Sequence, residues 1–332
     1  MDSVLVIGGT GLLGYHTTLE LLRRGYAVTS LALPPMPVED LFPAEVENVL
    51  ADVSALSDDE LGTLLAGRHA VVYAAGADER VTPDAPSAHF FYEANVRPVQ
   101  RVARLARAAG VKKFVLFNSY TAEFAEQWPD LGYRTHNGYP RTRLAQEEIA
   151  YLEGDGAMDV MSLRLPYIFG TMPGRTPLWQ MFIDLIRAQP GFVGVGAGST
   201  SSVTVDQVAQ AAVGAIEHGE HGGRYPINGY NLTYVEFHRT ICELIGRNPD
   251  EVGVVPLEVM LPVAAQHDAA AAAAGKEHGI HVSDSTRFNA RDAVSDPALS
   301  QPALRYADAD VPAAIVETIQ ACLDIEARAA TA

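Results

Sequence analysis

Glycines near the start of the sequence have the type and spacing needed to bind a phosphate group. Gly9, Gly11 and Gly14 form a Gly-x-Gly-x-x-Gly pattern, and Gly8 adds an overlapping Gly-x-x-Gly-x-x-Gly pattern. A loop without side chains lets a pyrophosphate approach the backbone, and free N–H groups at a helix start can bind it. The pattern predicts a dinucleotide site, with a tight turn that binds no ligand as the alternative.

The segments on either side of these glycines are the elements that must position them. Residues 4–7 (VLVI) are a short apolar run, typical of a strand buried on both faces. Residues 12–24 place leucines on one helical face, and Gly25 follows as a stop signal. The glycines therefore lie between a predicted strand and a predicted helix, which is the context a phosphate loop requires.

Strands and helices continue to alternate along the first half of the chain. Further strands are predicted at residues 26–33, 46–52, 69–75, 111–118 and 159–165. Helices are predicted from the capping box at Ser57-x-x-Glu60, over 88–109 with Pro98 as an irregularity, and over 139–152. Six strands separated by helices predict an α/β fold with a doubly wound parallel sheet, whose ligands bind at the carboxyl ends of the strands.

The pattern of alternating strands and helices changes after Gly170. Helices are predicted near 178–187, over 205–217, over 233–245 from a second capping box (Thr233-x-x-Glu236), around the alanine run 269–274, and over 311–327. We interpret residues 1–170 as the dinucleotide-binding domain. Residues 171–332 are interpreted as a smaller substrate-covering lobe, interleaved with the main sheet.

Composition narrows the classes of function. The chain has 332 residues and a net charge of −17, which argues against nucleic acid or an anionic membrane as a partner. Its two cysteines, Cys242 and Cys322, lie far apart and are interpreted as buried thiols in a reducing compartment. No secretory signal or membrane-spanning run is recognised, so a cytoplasmic protein is expected.

Several segments together resemble the extended (atypical) branch of the short-chain dehydrogenase/reductase superfamily, of the NAD-dependent epimerase/dehydratase type. The resemblance covers about residues 3–245 and rests on residues 8–14, 51–53, 72–75, 95–96, 114–119, Tyr139-x-x-x-Arg143 with Glu147, 164–170, 203–209 and 225–233. It implies a Rossmann fold and a bound nicotinamide dinucleotide.

The resemblance also implies which residues contact the cofactor. The pyrophosphate would lie on the glycine loop, the adenine against the residues after the third strand, and the nicotinamide near the sixth strand. The implied residues are Gly8, Gly9, Thr10, Gly11, Leu12, Leu13, Gly14, Asp52, Val53, Ala74, Ala75, Gly76, Tyr139, Arg143, Pro166 and Ile168. For Asp52, a turn residue after a strand is the alternative.

The choice between NAD and NADP depends on the end of the second strand. A ribose-binding acid is expected there, but residues 31–35 are Leu-Ala-Leu-Pro-Pro. No Lys, Arg or His occurs from Gly25 to Glu60, so the 2′-phosphate of NADP has no evident partner. The sequence therefore favours NAD.

The resemblance implies a tyrosine as general acid/base, a lysine four residues later, and a Ser or Thr after strand five. Tyr139 matches the tyrosine, and Arg143 stands at the lysine position. A cation on the same helix face favours tyrosinate and lowers the phenol pKa from its ordinary value of about 10. A surface Tyr and Arg stacked at a helix start is the alternative.

The hydroxyl position is irregular. By register it falls at Tyr120, with Ser119 and Thr121 on either side, and Thr121 and Tyr120 are the candidates. Asn95 matches an asparagine that supports the site in the family, with an ordinary polar helix residue as the alternative.

We therefore expect an NAD(P)-dependent oxidoreductase, or an epimerase/dehydratase-like enzyme, acting on a hydroxyl or carbonyl carbon of a small molecule. A noncatalytic dinucleotide-binding redox sensor or scaffold with a degenerate site is the alternative.

The substrate is expected to be neutral or aromatic rather than a diphosphate. Tyr167 replaces an asparagine common in nucleotide-sugar members, and the only cations in the following loop are Arg175 and Arg187. Six side chains could either line an apolar pocket or belong to the hydrophobic core: Phe124, Trp128, Tyr133, Phe169, Met172 and Trp179.

Two further patterns carry weaker expectations. The pairs His218/His221 and His278/His281 have loose metal-like spacing but no third ligand nearby, so no metal is expected. Arg97, Arg101 and Arg104 form a helical stripe, which is a solvated face or part of a homodimer contact with Glu147 or Glu148.

Overall fold

The structure is a computed structural model that describes residues 2–331; Met1 and Ala332 lie outside the described residues. Its strands are β1 Ser3–Ile7, β2 Ala27–Ala32, β3 Glu47–Leu50, β4 Ala70–Tyr73, β5 Lys113–Ser119, β6 Asp159–Leu165, β7 Tyr167–Phe169, β8 Val193–Val195, β9 Ser199–Thr204, β10 Gly223–Pro226, β11 Tyr230–Thr233, β12 Val252–Val254 and β13 Asp292–Ala293.

The α-helices alternate with these strands. They are α1 Leu12–Arg23, α2 Asp58–Leu65, α3 Ser87–Phe91, α4 Arg97–Ala108, α5 Tyr120–Gln127, α6 Gly138–Gly154, α7 Gln180–Ala188, α8 Val205–His218, α9 Tyr234–Leu244, α10 Leu257–Ala273, α11 Val282–Asn289, α12 Gln301–Leu304 and α13 Val311–Thr331.

The main sheet is parallel throughout and has the order β10-β6-β5-β4-β1-β2-β3. Its central strands are apolar on both faces because each face is covered by helices. On one face Val4 and Val6 pack with α8 residues such as Val208. On the other, Leu5 and Ile7 pack with residues of α2 and α4. The predicted doubly wound sheet is confirmed, and the polarity of β1 and β4 directs their carboxyl ends to the same edge.

The seventh strand, β10, was not predicted from the sequence. It is only four residues long, reads Gly-Arg-Tyr-Pro, and lies at the edge of the sheet beside β6. Such a segment has no apolar run to mark it. Helix α8 also returns to the main sheet and packs on α1. The division at residue 170 stays a prediction, but later residues clearly complete the sheet.

The remaining elements form a smaller lobe beside the carboxyl ends of the strands. Strand β9 lies at its centre and pairs with β7, β11 and β13, while β8 and β12 form a separate two-stranded ribbon. An aromatic core around Phe169, Trp179 and Phe237 holds this lobe together. The alanine run lies at the end of α10, as predicted.

The two predicted capping boxes differ. Ser57 and Glu60 form both reciprocal hydrogen bonds at the start of α2. Thr233 caps α9, but the Glu236 carboxylate accepts a hydrogen bond from the Tyr230 phenol at 2.6 Å instead. Only half of the second box is therefore present.

The irregularity expected at Pro98 is a turn of π-helix over Tyr92–Val96, between α3 and α4. Proline lacks an N–H and its ring clashes with a carbonyl one turn earlier, and the wider π-turn accommodates both effects. The turn carries Asn95, which is fully buried.

No helix within residues 2–331 has both the length and the apolar character needed to cross a membrane.

Candidate active site

The glycine loop joins β1 to α1 as predicted. Gly8 has φ +86°, and a Cβ on Gly14 would overlap the Gly8 carbonyl oxygen, so these glycines serve the turn itself. A Cβ on Gly11 would meet only the Gly8 carbonyl oxygen, at 3.3 Å, and otherwise open space. No side chain caps α1 at Gly11. The loop therefore leaves a free helix N-terminus and an open approach, which fits a pyrophosphate.

A cavity of about 830 Å³ extends from the start of α1 to the smaller lobe. The predicted pyrophosphate residues Gly8, Gly9, Thr10, Gly11 and Gly14 lie beside it and are not part of its lining. Many of the residues predicted to form the site line it. They are Leu12, Leu13, Ala74, Ala75, Gly76, Tyr120, Tyr139, Arg143, Pro166 and Ile168. The structure thus brings the ends of β4, β5 and β6 and the starts of α1 and α6 around one space.

Tyr139 lies in the first turn of α6 and is 4% exposed. Its N–H donates to the Gly279 carbonyl oxygen at 2.8 Å, and the Phe91 ring meets its ring edge-on with centroids 5.4 Å apart. A segment of the smaller lobe therefore helps to fix this side chain at the cavity wall.

Arg143 lies one turn further along α6, with its guanidinium carbon 5.5 Å from the centre of the Tyr139 ring. Its Nη1 donates to Gln146 Oε1 at 2.6 Å and its Nη2 to the Phe117 carbonyl oxygen at 3.2 Å. Its Nε is buried without a hydrogen-bond partner. The cation is held beneath the tyrosine rather than stacked on the surface.

Burial raises the pKa of Tyr139 to about 12, although the Arg143 charge acts to lower it. The sequence analysis expected the cation to lower the Tyr139 pKa, but the pKa is raised, because the cost of removing a phenolate from water exceeds the effect of the Arg143 charge. Tyr139 is therefore a neutral phenol at neutral pH and can donate a proton.

Three hydroxyl-bearing residues surround the end of β5. Ser119 and Tyr120 line the cavity, whereas Thr121 is buried behind them and donates to Ser119 Oγ at 2.9 Å. The Ser119 hydroxyl also acts to lower the Tyr139 pKa. Ser119 was not among the predicted candidates. The rule that ligands meet the carboxyl ends of parallel strands could have identified it, because it is the last residue of β5.

Asn95 lies behind the cavity rather than on its wall. Its Oδ1 accepts a hydrogen bond from the Ala77 N–H at 2.8 Å, and its Nδ2 donates to the Ala77 carbonyl oxygen at 2.9 Å. The Asn95 carbonyl oxygen in turn accepts from Gln146 Nε2 at 3.0 Å. Asn95 thus ties the loop after β4 to α6.

The predicted adenine contacts lie just beyond β3, outside the cavity lining. Asp52 Oδ1 accepts a hydrogen bond from the Ser54 N–H at 2.8 Å, the geometry of a turn residue. The Val53 carbonyl oxygen accepts from Arg101 Nη1 at 3.1 Å. Their predicted contact with adenine stays a prediction.

The aromatic residues proposed for an apolar pocket divide into two groups. Phe124, Trp128 and Tyr133 pack around Phe288, and Phe169 lies in the core of the smaller lobe. Only Met172 and Trp179 also line the cavity. Tyr167, which the sequence analysis connects with the substrate class, also lines the cavity. The sequence did not identify the other residues at the substrate end, which include Met181, Phe182, Val195, Tyr234, His238 and Met260.

The arginine stripe finds its partners within the chain. Arg101 Nε and Arg104 Nη2 bind Asp58 at 2.7 and 3.0 Å, and Arg97 binds Glu93. Glu147 is fully buried and binds Arg164 at 2.8 Å. Glu147 is therefore buried and already paired, while the more exposed Glu148 pairs with Arg224. The homodimer contact of the stripe stays a prediction.

The histidine pairs serve other contacts. His281 Nε2 lies 3.1 Å from Glu277 and its Nδ1 lies 3.7 Å from Asp284. His221 Nδ1 lies within hydrogen-bond distance of the Met158 carbonyl oxygen. Over residues 2–331, no group of three or more His, Cys, Asp or Glu side chains is arranged to hold a metal ion.

The doubly wound parallel sheet and the open glycine loop at its edge define a Rossmann-type fold of the kind that binds dinucleotides. Residues 4–228 match the NAD dependent epimerase/dehydratase family, and the chain belongs to that family. Membership of this family is what the sequence predicts.

Comparison with individual proteins gives more distant similarities. The chain is 26% identical over 224 residues to the mouse (Mus musculus) sterol-4-alpha-carboxylate 3-dehydrogenase, decarboxylating, which covers 64% of this chain and only 59% of the mouse protein. It is 24% identical over 277 residues to the 3-beta-hydroxysteroid dehydrogenase of Mycolicibacterium neoaurum, over 76% of this chain and 73% of that protein.

Among solved structures, MoeE5 in complex with UDP-glucuronic acid and NAD has a TM-score of 0.68 with 19% sequence identity. The alignment covers 97% of this chain and 98% of MoeE5. At this identity the likeness supports the Rossmann-type fold alone.

Proposed function

We propose that this enzyme oxidises a hydroxyl carbon, or reduces the corresponding carbonyl, in a neutral and largely apolar small molecule. The observation that carries the proposal is the charge distribution in the cavity. Among the described residues that line it, the arginines are Arg80, Arg143 and Arg175. Arg80 Nε donates to Asp78 at 2.9 Å, Arg143 is held by Gln146, and Arg175 lies against the glycine loop.

The substrate end instead offers phenols and apolar side chains. The ring centroids of Tyr167 and Trp179 are 5.0 Å apart, and the Tyr234 phenol donates to Asn289 Oδ1 at 2.8 Å. Burial lowers the pKa of His238, which keeps that imidazole neutral. A substrate diphosphate at this end would lose its hydration without a cation beside it, because Arg175 lies at the glycine loop.

The names of the relatives favour the same class of substrate. Both curated relatives are named for a sterol or a steroid. Such molecules carry few polar groups on a large apolar ring system, which matches a cavity lined mainly by apolar and aromatic side chains with a few polar groups. The carboxylate in the name of the mouse protein is said of that protein alone. A nucleotide sugar, as bound by MoeE5, is the competing substrate class.

The roles of the residues follow from their positions. A bound nicotinamide would supply the donor or acceptor of a hydride. For reduction, the neutral Tyr139 phenol would donate a proton to the oxygen formed at the substrate carbon. For oxidation, Tyr139 must first lose that proton, and Arg143 would stabilise the tyrosinate. Ser119 and Tyr120 would orient the substrate oxygen from the end of β5.

We propose NAD rather than NADP as the cofactor. Strand β2 ends in Ala32, and the following Leu33 is 61% exposed, so apolar surface borders the expected ribose position. Arg101 approaches the loop after β3, but its guanidinium is already bonded to Asp58 and to the Val53 and Leu56 carbonyl oxygens. It is not free to bind a 2′-phosphate. Calorimetric titration of both cofactors tests this, and tighter binding of NADP would contradict it.

Turnover of a defined substrate panel tests the proposed reaction. The panel contains 3-hydroxysteroids, simple secondary alcohols and UDP-sugars, which are assayed with NAD+. The ketones that correspond to the alcohols are assayed with NADH. We expect turnover of an uncharged alcohol, and Tyr139→Phe should lower kcat by about 10²–10⁴-fold with nearly unchanged NAD+ binding.

Tyr151→Phe is the matched control for this variant. It removes another buried phenol from α6, one whose hydroxyl donates to the Gly223 carbonyl oxygen away from the cavity. Turnover of UDP-sugars alone would contradict the proposed substrate class. Bound NAD+ with no turnover of any substrate would favour the redox-sensor hypothesis.

A homodimer and a reducing compartment complete the proposal. Leu152 on α6 is 71% exposed and could form an apolar contact between two copies. Cys242 and Cys322 are both buried free thiols, as in proteins of a reducing cytoplasm. Light scattering over a range of concentrations tests the dimer, and a constant monomer mass would exclude it.

A further inference from the structure

One short segment of the chain lies directly on the glycine loop. Arg175 Nε donates to the Thr10 carbonyl oxygen at 3.2 Å, and His16 Nε2 lies 2.8 Å from the Thr171 carbonyl oxygen. Between them, the buried Met172 side chain packs in an apolar cluster that also contains Leu12. The segment from residue 171 to 175 therefore contacts the glycine loop at Thr10 and helix α1 at Leu12 and His16.

The segment carries a positive charge, that of Arg175, beside the loop that would bind the pyrophosphate of the cofactor. A pyrophosphate carries two negative charges, and this chain has a net charge of −17. Of the arginines that line the cavity, Arg80 is paired with Asp78 and Arg143 lies beneath Tyr139. Within the described cavity lining, Arg175 is the arginine that contacts the glycine loop.

The geometry of the guanidinium leaves donors available. Arg175 uses its Nε on the Thr10 carbonyl oxygen, and this contact positions the planar group beside the first turn of α1. Its two terminal nitrogens, with four N–H groups, can still bind phosphate oxygens, and a guanidinium binds such oxygens in a bidentate manner.

We propose that Arg175 binds the pyrophosphate of the cofactor and thereby clamps residues 171–179 onto the bound dinucleotide. The proposal rests on the dinucleotide binding in the proposed function. It also couples the two ends of the cavity, because Leu178 and Trp179 of the same segment line the substrate side. Cofactor binding would then fix one wall of the substrate site.

Isothermal calorimetry with three ligands tests the clamp. NAD+ and ADP-ribose contain the pyrophosphate, and adenosine does not. We expect Arg175→Met to weaken NAD+ and ADP-ribose binding by about 10- to 100-fold and to leave adenosine binding unchanged. Arg175→Lys, which keeps a point charge, should lose less. Arg187→Met is the control, because Arg187 pairs with Glu326 and lies outside the cavity lining.

The outcomes separate this inference from the proposed function. Wild-type affinity of Arg175→Met for NAD+ would overturn the clamp while leaving dinucleotide binding intact. Equal losses for adenosine and ADP-ribose would also overturn it, since they would indicate a distorted loop. If the wild-type protein binds none of the three ligands, the proposed function fails and the clamp with it.

Tryptophan fluorescence tests the coupling. The chain has two tryptophans, and Trp128→Phe leaves Trp179 as the only one. ADP-ribose should change the Trp179 emission in this background, and the change should disappear when Arg175→Met is added. An unchanged response in the double variant would overturn the coupling.

Discussion

The Arg143 guanidinium lies 5.5 Å from the centre of the Tyr139 ring, yet the pKa of that tyrosine is about 12. Two opposing effects act on one phenol, and burial is the larger. Tyr139 is therefore a neutral phenol, and the fixed Arg143 cation partly stabilises its ionised form. We expect this balance between burial and the Arg143 charge to set how the rate of the proposed reaction depends on pH.

Arg143→Met should lower the rate of alcohol oxidation at every pH below the Tyr139 pKa. The oxidative rate follows the tyrosinate fraction, and loss of the cation raises the Tyr139 pKa further, so each added pKa unit costs about tenfold in rate. Arg143→Lys keeps the charge and should retain most of the rate. The pH–rate profiles of the three proteins are the measurement. Superimposable profiles for wild type and Arg143→Met would show that oxidation does not depend on this pair.

Gly11→Val should abolish dinucleotide binding while the fold is kept. A Cβ at this position meets only the Gly8 carbonyl oxygen and otherwise enters the open approach to the loop, so the branched side chain would occupy pyrophosphate space. Calorimetry with NAD+ and circular dichroism are the measurements. Gly62→Ala on α2 is the control, since a Cβ there has no neighbour within 4 Å. Normal NAD+ affinity of Gly11→Val would contradict the whole interpretation of the loop.

Glu147→Gln should reduce the free energy of unfolding by about 3–5 kcal/mol, because it leaves Arg164 buried with less compensation for its charge. Glu147 is fully buried and accepts hydrogen bonds from Arg164 and Ser162. Urea unfolding measures the loss. Glu326→Gln removes a charge from the exposed pair with Arg187 and should cost less than about 1 kcal/mol. Equal losses for the two variants would refute the argument from burial.

His281 should stabilise the fold in acid and neutral solution and lose this effect in alkali. The carboxylates of Asp284 and Glu277 raise the pKa of His281 to about 9, above its ordinary value of 6.5. A raised pKa in the folded state gives stability that is fully present below pH 6.5 and is lost as the pH rises through 9. His281→Asn should therefore cost on the order of 1–2 kcal/mol at pH 6, after allowance for solvent screening, and little at pH 10. Denaturant unfolding at the two pH values is the test, and a pH-independent difference would count against it.

The sequence predicts an element of this fold where the local pattern of apolar residues matches the burial of that element. Residues 70–75 are apolar without interruption because β4 is covered on both faces, so the strand could be recognised from the sequence alone. Strand β10 could not, because an edge position permits glycine and proline and leaves no apolar run.

The site shows the same division. The positions of Tyr139 and Arg143 follow from helix spacing, and the cavity contains both. The choice among Ser119, Tyr120 and Thr121 depends on where β5 ends and α5 begins, and one residue of register decides which hydroxyl reaches the cavity. The pKa of Tyr139 depends on burial by distant elements, which spacing along one helix cannot reveal.

The contact between Gly279 and the first turn of α6 bears on how the chain folds during synthesis. Tyr139 N–H bonds to the Gly279 carbonyl oxygen, Asn137 bonds to Asp284 and to the His281 N–H, and Ser87 N–H bonds to Glu277. On a ribosome the start of α6 emerges about 140 residues before these partners do. The nascent chain can build most of the parallel sheet in that interval, but it cannot complete the wall that holds Tyr139. The wall around Tyr139, the proposed acid/base group, is therefore complete only after residues 277–284 have left the exit tunnel.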